Sequence, residues 1–437
     1  MPQELLPNLY AIQRNLTTGG HIYGLDGALT LRHDDEDSDG EIDASETAIL
    51  YFGMRRGGQH YYALDVSDTA NPRLLWKISG GSGDFLNLAQ TWSRMTLTTV
   101  RHGGSAKKVL IFGGGYDVAN DHATAREPAA GSHLYIVDAD NGRLLWSVGH
   151  AGASVTASDM RYSIASDITT IDLNANGYAD RLYFGDMGGQ LWRVIFNEAA
   201  SGSEAPTVDF TRSPSVERIG DFGGDQNRRF YYPPAVAMIA DQGDRYLAVT
   251  IGSGNRAHPL DTSVDDWIFM LRDPVEAPLA HTVKMSDLYD ATDNQVAEGS
   301  DTASEREALA TADGWKMRLN SGEKSLSTLV VFDGKLRFTT YEPTSVDDAV
   351  CGSSATARGR YYVMNLVDAT PTSDDSSEDD ALLTKDDRWS DIDGLGIPGS
   401  PMLAFLPDSD GVDVYVGKEN VGRISSDIRR IYWQQTH

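Results

Sequence analysis

The sequence predicts an all-β fold, an irregular β-propeller of six to seven blades with loop and short helical insertions. Three observations carry that prediction. First, a short apolar run closed by glycine recurs: Leu50-Tyr51-Phe52-Gly53, Leu110-Ile111-Phe112-Gly113, Leu182-Tyr183-Phe184-Gly185, Val249-Thr250-Ile251-Gly252 and Val414-Tyr415-Val416-Gly417. Second, most copies are followed by a Gly-rich turn and a strand alternating at period two, as in Tyr61–Val66, His133–Asp138, Gln190–Val194 and Tyr361–Leu366. Third, two of these continue through a turn into a strand carrying Leu-Leu-Trp, at Arg73–Trp76 and Arg143–Trp146. The first four copies are spaced by roughly 60 to 70 residues, the period of a blade with insertions. One such unit cannot bury both of its faces alone, so neighbouring units must pack on one another. A pair of β-sandwiches is the structural alternative.

Composition narrows the classes of function. The 437 residues hold 37 Lys and Arg against 64 Asp and Glu, a formal charge of −27. Such a surface disfavours nucleic acid and anionic membranes. Forty-three Gly and only 16 Pro suit a β-rich chain with many tight turns. The one cysteine, Cys351, precludes an internal disulfide framework and reads as a free loop thiol. No stretch is apolar for long enough to span a membrane. The start, Met-Pro-Gln-Glu-Leu-Leu-Pro, lacks the basic and apolar regions of a signal peptide, which fits a cytosolic protein or a piece of a longer secreted one.

In chain order, the first segment with its own chemistry is Asp35 to Glu46. It matches D-x-D-x-D-G-x-I-D-x-x-E, with Asp35, Asp37, Asp39, Glu41, Asp43 and Glu46 at the ligand positions of a calcium loop. It lies in an acidic run that starts at Asp34, and a charge run also reads as a solvated turn. Residues 172–180 carry a shorter form, with side-chain oxygens at positions 1, 3, 5 and 9 from Asp172, Asn174, Asn176 and Asp180. Gly177 stands where the chain must turn, and the carbonyl of Tyr178 falls at position 7. Calcium takes six to eight hard oxygens, and this spacing wraps them about one point. The position-12 glutamate of an EF-hand is replaced by Tyr183, so Asp180 must supply more of the coordination. Calcium loops of this moderate charge suit compartments rich in calcium, which favours the secreted alternative.

Two segments break the strand pattern. Residues 284–313 read as a helical insertion, with Ser304 and Glu307 spaced as a capping box. Residues 368–393, rich in Asp and Ser, read as an acidic loop in which Asp374, Asp375, Glu378, Asp379 and Asp380 attract cations only loosely.

The phrase Leu134 to Trp146 resembles the repeat of quinoprotein propellers. A wider resemblance rests on longer phrases. These are Phe52-Gly53-Met54-Arg55-Arg56-Gly57-Gly58 with Tyr61–Val66, Gln90-Thr91-Trp92-Ser93, and Ile111–Asp117. Asp180–Asp186 with Gly189–Arg193, and Gly322-Glu323-Lys324 ahead of Phe338–Tyr341, complete the set. Over nearly its whole length the chain resembles the C-terminal propeller of the type IV pilus tip-associated PilY/PilC adhesins. The resemblance implies a single propeller domain over 1–437, part of a longer adhesin at the pilus tip or outer-membrane surface. It implies Ca2+ as the cofactor, held by Asp172, Asn174, Asn176, Tyr178 and Asp180, with occupancy regulating pilus extension against retraction, twitching motility and attachment. The implied partners are pilus tip or minor pilin proteins and a host or abiotic surface. The family phrase does not extend to the 35–46 loop, and no Arg-Gly-Asp tripeptide occurs.

The enzyme alternative is a calcium-dependent quinoprotein dehydrogenase, but those enzymes resemble the chain only in the repeats and carry an adjacent cysteine pair. One cysteine cannot form it. No Gly-x-Ser-x-Gly elbow or His-Glu-x-x-His pattern occurs among the ten histidines and their neighbours. Asp117, Asp121 and His122 read as a loop rather than an acid–base cluster, and Glu323-Lys324 as a strand-edge ion pair. The remaining alternative is a structural scaffold in which calcium is only a staple.

Overall fold

In the computed structural model, residues 2–16, 21–43, 45–122, 127–196, 214–241, 244–343, 357–372, 383–393, 396–406 and 411–425 are described. Cys351 and the acidic residues Asp374, Asp375, Glu378, Asp379 and Asp380 lie outside them. The described residues form six sheets, and the chain divides into two compact units, one mainly from 1–187 and the other mainly from 217–434.

In the first unit, Leu29–Asp34, Thr47–Gly53, His60–Asp65 and Arg73–Ser79 form a four-stranded antiparallel meander in chain order. The second sheet runs Thr96–His102, Ser105–Gly113, His133–Asp138 and Leu144–Gly149, with a short parallel strand Val155–Thr156 at its edge. Period-two alternation explains how they pack. One face of the first sheet presents Ile49, Tyr51, Tyr61, Ala63, Trp76 and Ile78, and these meet Leu110, Phe112, Tyr135 and Val137 of the second in one core. Each such aromatic contributes about 1.5–3 kcal/mol by leaving water. Trp76 also donates its indole N–H to the carbonyl of Ala139 at 3.0 Å, tying the Leu-Leu-Trp strand to the neighbouring sheet. The opposite face carries Phe52 and Tyr62, covered by Leu5 of the N-terminal turn Gln3–Asn8.

Thr169–Ile171 and Arg181–Gly185 open the third sheet, followed in order by Gln190–Ile195, Ser215–Asp221 and, in parallel, Val283–Lys284. In the second unit, Ala235–Asp241, Asp244–Gly252, Trp267–Pro274, Gly314–Arg318 and Tyr289–Asp290 make the fourth sheet. The fifth contains Lys324–Ser325, Lys335–Glu342, Arg358–Asn365 and Trp389–Ile392, with Val330–Phe332 paired beside Lys335–Glu342. Pro401–Phe405, Gly411–Val416 and Glu419–Ser425 form the sixth. Trp315, Met270, Leu336, Phe338 and Met364 join the fourth and fifth sheets in one core; Val412, Val414 and Ile424 pack with Tyr361 between the fifth and sixth.

The glycine-closed runs share a structural reason. All five lie in the second strand of their sheets, except that Gly417 stands in the turn just after Gly411–Val416. In the fifth sheet that place is taken by Lys335–Glu342, which has no closing glycine, so the repeat is silent there.

Three expectations are corrected. The acidic segment 368–393 is not loop throughout: Trp389–Ile392 pairs antiparallel with Arg358–Asn365, and Arg388 before it is buried, donating to the carbonyls of Ala291 and Thr292. Acidic composition masks a strand whose Asp391 pairs with Arg358 at 3.8 Å. The insertion 284–313 holds two helices, Gln295–Glu298 and Thr302–Thr311, but the cap of the second is Asp301, not Ser304. The Asp301 carboxylate accepts the Ser304 N–H at 3.1 Å, the bond the capping box assigned to a serine one turn later. Glu323 and Lys324 do not pair. Glu323 is fully buried and takes Arg360 at 2.9 Å together with the Tyr362 hydroxyl at 3.0 Å, while Lys324 donates to the carbonyls of Asp261 and Gly322.

Candidate metal centres

Both acidic loops occupy the same structural place, the hairpin between the first and second strands of a sheet. Asp34 faces Thr47 across the base of one, and Ile171 faces Arg181 across the base of the other. Both strands of each hairpin are held by their ladder, so the loops are closed by rigid ends.

The loops then share three side-chain-to-amide bonds at equivalent positions, and differ at Oδ1 of position 1, which accepts from Asn174 and Asn176 in one loop and from Ser38 in the other. At position 1, Asp172 Oδ2 accepts the N–H of Gly177 at 2.7 Å, and Asp35 Oδ2 accepts that of Gly40 at 3.0 Å. At position 3, Asn174 Oδ1 accepts from Asn176 at 3.1 Å, and Asp37 Oδ1 from Asp39 at 3.3 Å. At position 5, Asn176 Oδ1 accepts from Tyr178 at 2.9 Å, and Asp39 Oδ1 from Glu41 at 2.7 Å. The sixth residue is left-handed in both, with φ +84° at Gly177 and +80° at Gly40, and so is the fourth, Ala175 and Ser38. Left-handed backbone at position 6 is the reason that glycine stands there.

The loops close differently in sequence but equivalently in space. In the 35–46 loop the position-12 carboxylate does it: Glu46 Oε1 accepts the N–H of Glu36, the second loop residue, at 2.7 Å. In the 172–180 loop Asp180 does the same from position 9, accepting the N–H of Leu173, again the second residue, at 2.7 Å. Both closing residues are buried, Asp180 at 3% exposure and Glu46 at 6%. That equivalence accounts for Tyr183 at position 12, which is fully buried as a strand residue.

A carboxylate offers about four acceptor sites, so these amide bonds leave lone pairs for a cation. The set is all oxygen, the chemistry of hard cations such as calcium. Asp35, Asp37 and Asp39 have carboxylate oxygens within 4.8 Å of one another. At Asp35 desolvation raises the pKa, but the amides of Gly40 and Ser38 together outweigh it and lower it, favouring the ionised group. Not every expected ligand joins the wrap. Asp43 turns to the N–H and hydroxyl of Ser45, at 3.1 and 3.0 Å. Glu41 is an exposed residue whose N–H serves the position-5 bond.

Sequence reasoning missed what anchors the loops. Asp34, read as part of a charge run, is paired with Arg32 at 2.7 Å and with Lys108 of the second sheet at 2.5 Å. Burial raises its pKa, but those two cations outweigh it and hold it at about 2. The other loop is tied to the same sheet: Ala179 donates its N–H to the carbonyl of Thr99 at 3.0 Å, and the Tyr178 ring lies under the Arg101 guanidinium at 5.2 Å. No local signal announces partners 74 residues apart. Asp117 and Asp121 act structurally, Asp117 capping the turn Val118–Asp121 and Asp121 gripping Arg56 through two bonds of 2.8 Å.

No helix among the described residues is long and apolar enough to cross a membrane. The family model of the PilY1 β-propeller domain matches residues 4–231, just over half of the chain. A type IV pilus biogenesis factor PilY1 homolog of Xylella fastidiosa is 25% identical over 361 residues, covering 76% of this chain and 22% of its own length. The type IV pilus biogenesis factor PilY1 of Pseudomonas aeruginosa is 28% identical over 220 residues, covering 49% of this chain and 16% of its own. The chain thus spans about a fifth of the length of these relatives. The crystal structure of the Pseudomonas aeruginosa PilY1 C-terminal domain superposes with a TM-score of 0.65 at 17% identity, covering 98% of this chain and 88% of that one.

Proposed function

The chain belongs to the PilY1 β-propeller family, and on that premise we propose that it is the calcium-binding propeller of a type IV pilus biogenesis factor. The observation that carries the calcium reading is the shared wrap of the two loops, in which a buried carboxylate closes each ring on the second loop residue. Asp172, Asn174, Asn176, the Tyr178 carbonyl and Asp180 hold one ion. Asp35, Asp37, Asp39, the Glu41 carbonyl and Glu46 hold a second, with Asp43 as an outer residue. Only Asp172 and Asp180 are charged in the first set, so its affinity is moderate and the ion exchanges at environmental calcium levels. Occupancy then biases pilus extension against retraction, and with it twitching and attachment, at the pilus tip or cell surface. The partners are pilus tip or minor pilin proteins and the surface to which the bacterium adheres. The relatives are named as pilus biogenesis factors, which supports a non-enzymatic role.

Calorimetric titration of the full chain after chelator treatment is expected to show two calcium equivalents. Asp180→Ala and Asp35→Ala/Glu46→Ala each remove one. In the bacterium that encodes the chain, Asp180→Ala is expected to change surface piliation and shrink the twitching zone. Absence of calcium binding sinks the reading at its root. Loss of calcium with unchanged piliation and twitching leaves only a structural staple.

A further inference from the structure

Resting on the proposed calcium site at 172–180, we infer that calcium there is relayed through the second sheet to the 34–47 hairpin. The path is short and continuous. Ala179, between the position-7 and position-9 ligands, donates to the carbonyl of Thr99, which lies on the edge strand of the second sheet. Tyr178, whose carbonyl is itself a ligand, stacks its ring under Arg101, two residues along the same strand. Thr99 is the direct cross-strand partner of Lys108. Lys108 in turn pairs with Asp34, the residue before position 1 of the other loop. Two loops 137 residues apart at their first positions, 35 and 172, are therefore joined by one hydrogen bond, one ladder pair and one ion pair.

The physical case is one of ordering. An edge strand leaves backbone groups open on its outer side. Here one of them is capped by a loop whose own order depends on an ion. Filling the loop fixes the Ala179 N–H and the Tyr178 ring, and so fixes Thr99 and Arg101. The Lys108–Asp34 pair is held to that strand by the antiparallel ladder. A ligand that rigidifies one site reduces the ordering cost at the next, which makes the coupling positive and reciprocal. The 35–46 loop need not hold an ion for the relay to exist; if it does, the two ions bind cooperatively.

Hydrogen exchange on the full chain tests this. Asp35→Asn/Asp37→Asn disables the 35–46 loop, so added calcium reports only on 172–180. Calcium is expected to slow exchange about fivefold or more in peptides covering Thr96–Gly113 and the strand ends at Asp34 and Thr47. Adding Lys108→Met should keep calcium binding and protection of Thr96–His102 but lose protection at Asp34 and Thr47. Calcium binding with protection confined to 172–185 overturns the relay while leaving the calcium site intact. Retention of the distant protection in the Lys108→Met chain overturns the path. No binding at 172–180, seen by calorimetry on the same sample, overturns the site and the relay together.

Discussion

Asp180→Asn isolates the charge at the closing position of the 172–180 loop. The side chain is 3% exposed and its Oδ2 accepts the Leu173 N–H at 2.7 Å. Asparagine keeps the volume and one carbonyl acceptor, so that bond can be retained and the calcium-free chain should lose less than about 1 kcal/mol. Alanine would instead strand the Leu173 N–H at a cost of about 1–3 kcal/mol, mixing folding with binding. What asparagine removes is one of two formal charges in the ligand set. Ligand charge count tunes such loops over decades of affinity, so a weakening of about tenfold or more is expected. That is about 1.4 kcal/mol. At a calcium concentration of 100 times the original Kd, the occupied loop stabilises by about 2.7 kcal/mol, and the variant by about 1.4 kcal/mol. Calorimetric titration in the Asp35→Asn/Asp37→Asn background gives the affinity. Denaturant unfolding with calcium and with chelator gives the stabilisation. Unchanged affinity in the variant, or an equal gain on adding calcium, would refute the assignment of Asp180 as the closing ligand.

Two further outcomes follow from the same geometry. Asp34 is held at about 2, below its usual 3.8, so its contribution is present above about pH 4 and is lost as pH falls toward 2. With its side chain 25% exposed the contribution is discounted to about 1 kcal/mol; in acid denaturation Asp34→Asn should lack that increment, and identical acid profiles for the two chains would contradict the pairing. Trp76→Phe removes the indole bond to the Ala139 carbonyl, but that oxygen still accepts the Tyr51 hydroxyl at 3.2 Å, so nothing is orphaned. A loss of about 1–2 kcal/mol in unfolding free energy is expected, and a loss above about 4 kcal/mol would show that the ring, not the bond, governs the sheet contact.

Much of the fold was legible because its signals are local. Period-two alternation, closing glycines and the Leu-Leu-Trp strand each lie within a few residues, and they marked the second, third and fourth strands of the sheets. The fifth sheet was poorly marked because Lys335–Glu342 carries polar residues and no closing glycine. Trp389–Ile392 was hidden because an edge strand need bury little, and its two middle residues are exposed. The Asp301 cap was displaced from Ser304 because side-chain capping is set by where the backbone leaves helical geometry, which the residue types alone left open.

The loops show the division most clearly. By itself the sequence determined the ligand spacing, the glycine at the left-handed sixth position and the absence of a position-12 glutamate at 172–180, since all of these are encoded within a dozen residues. Only the tertiary structure decided that Asp180 replaces that glutamate, because the equivalence lies in which amide each carboxylate accepts. It alone decided that Asp34 belongs to Lys108 and Ala179 to Thr99, bringing both loops onto one cross-strand pair. Contacts across 74 and 80 residues are fixed by how sheets stack, and stacking depends on the packing of many side chains at once rather than on any short run of sequence.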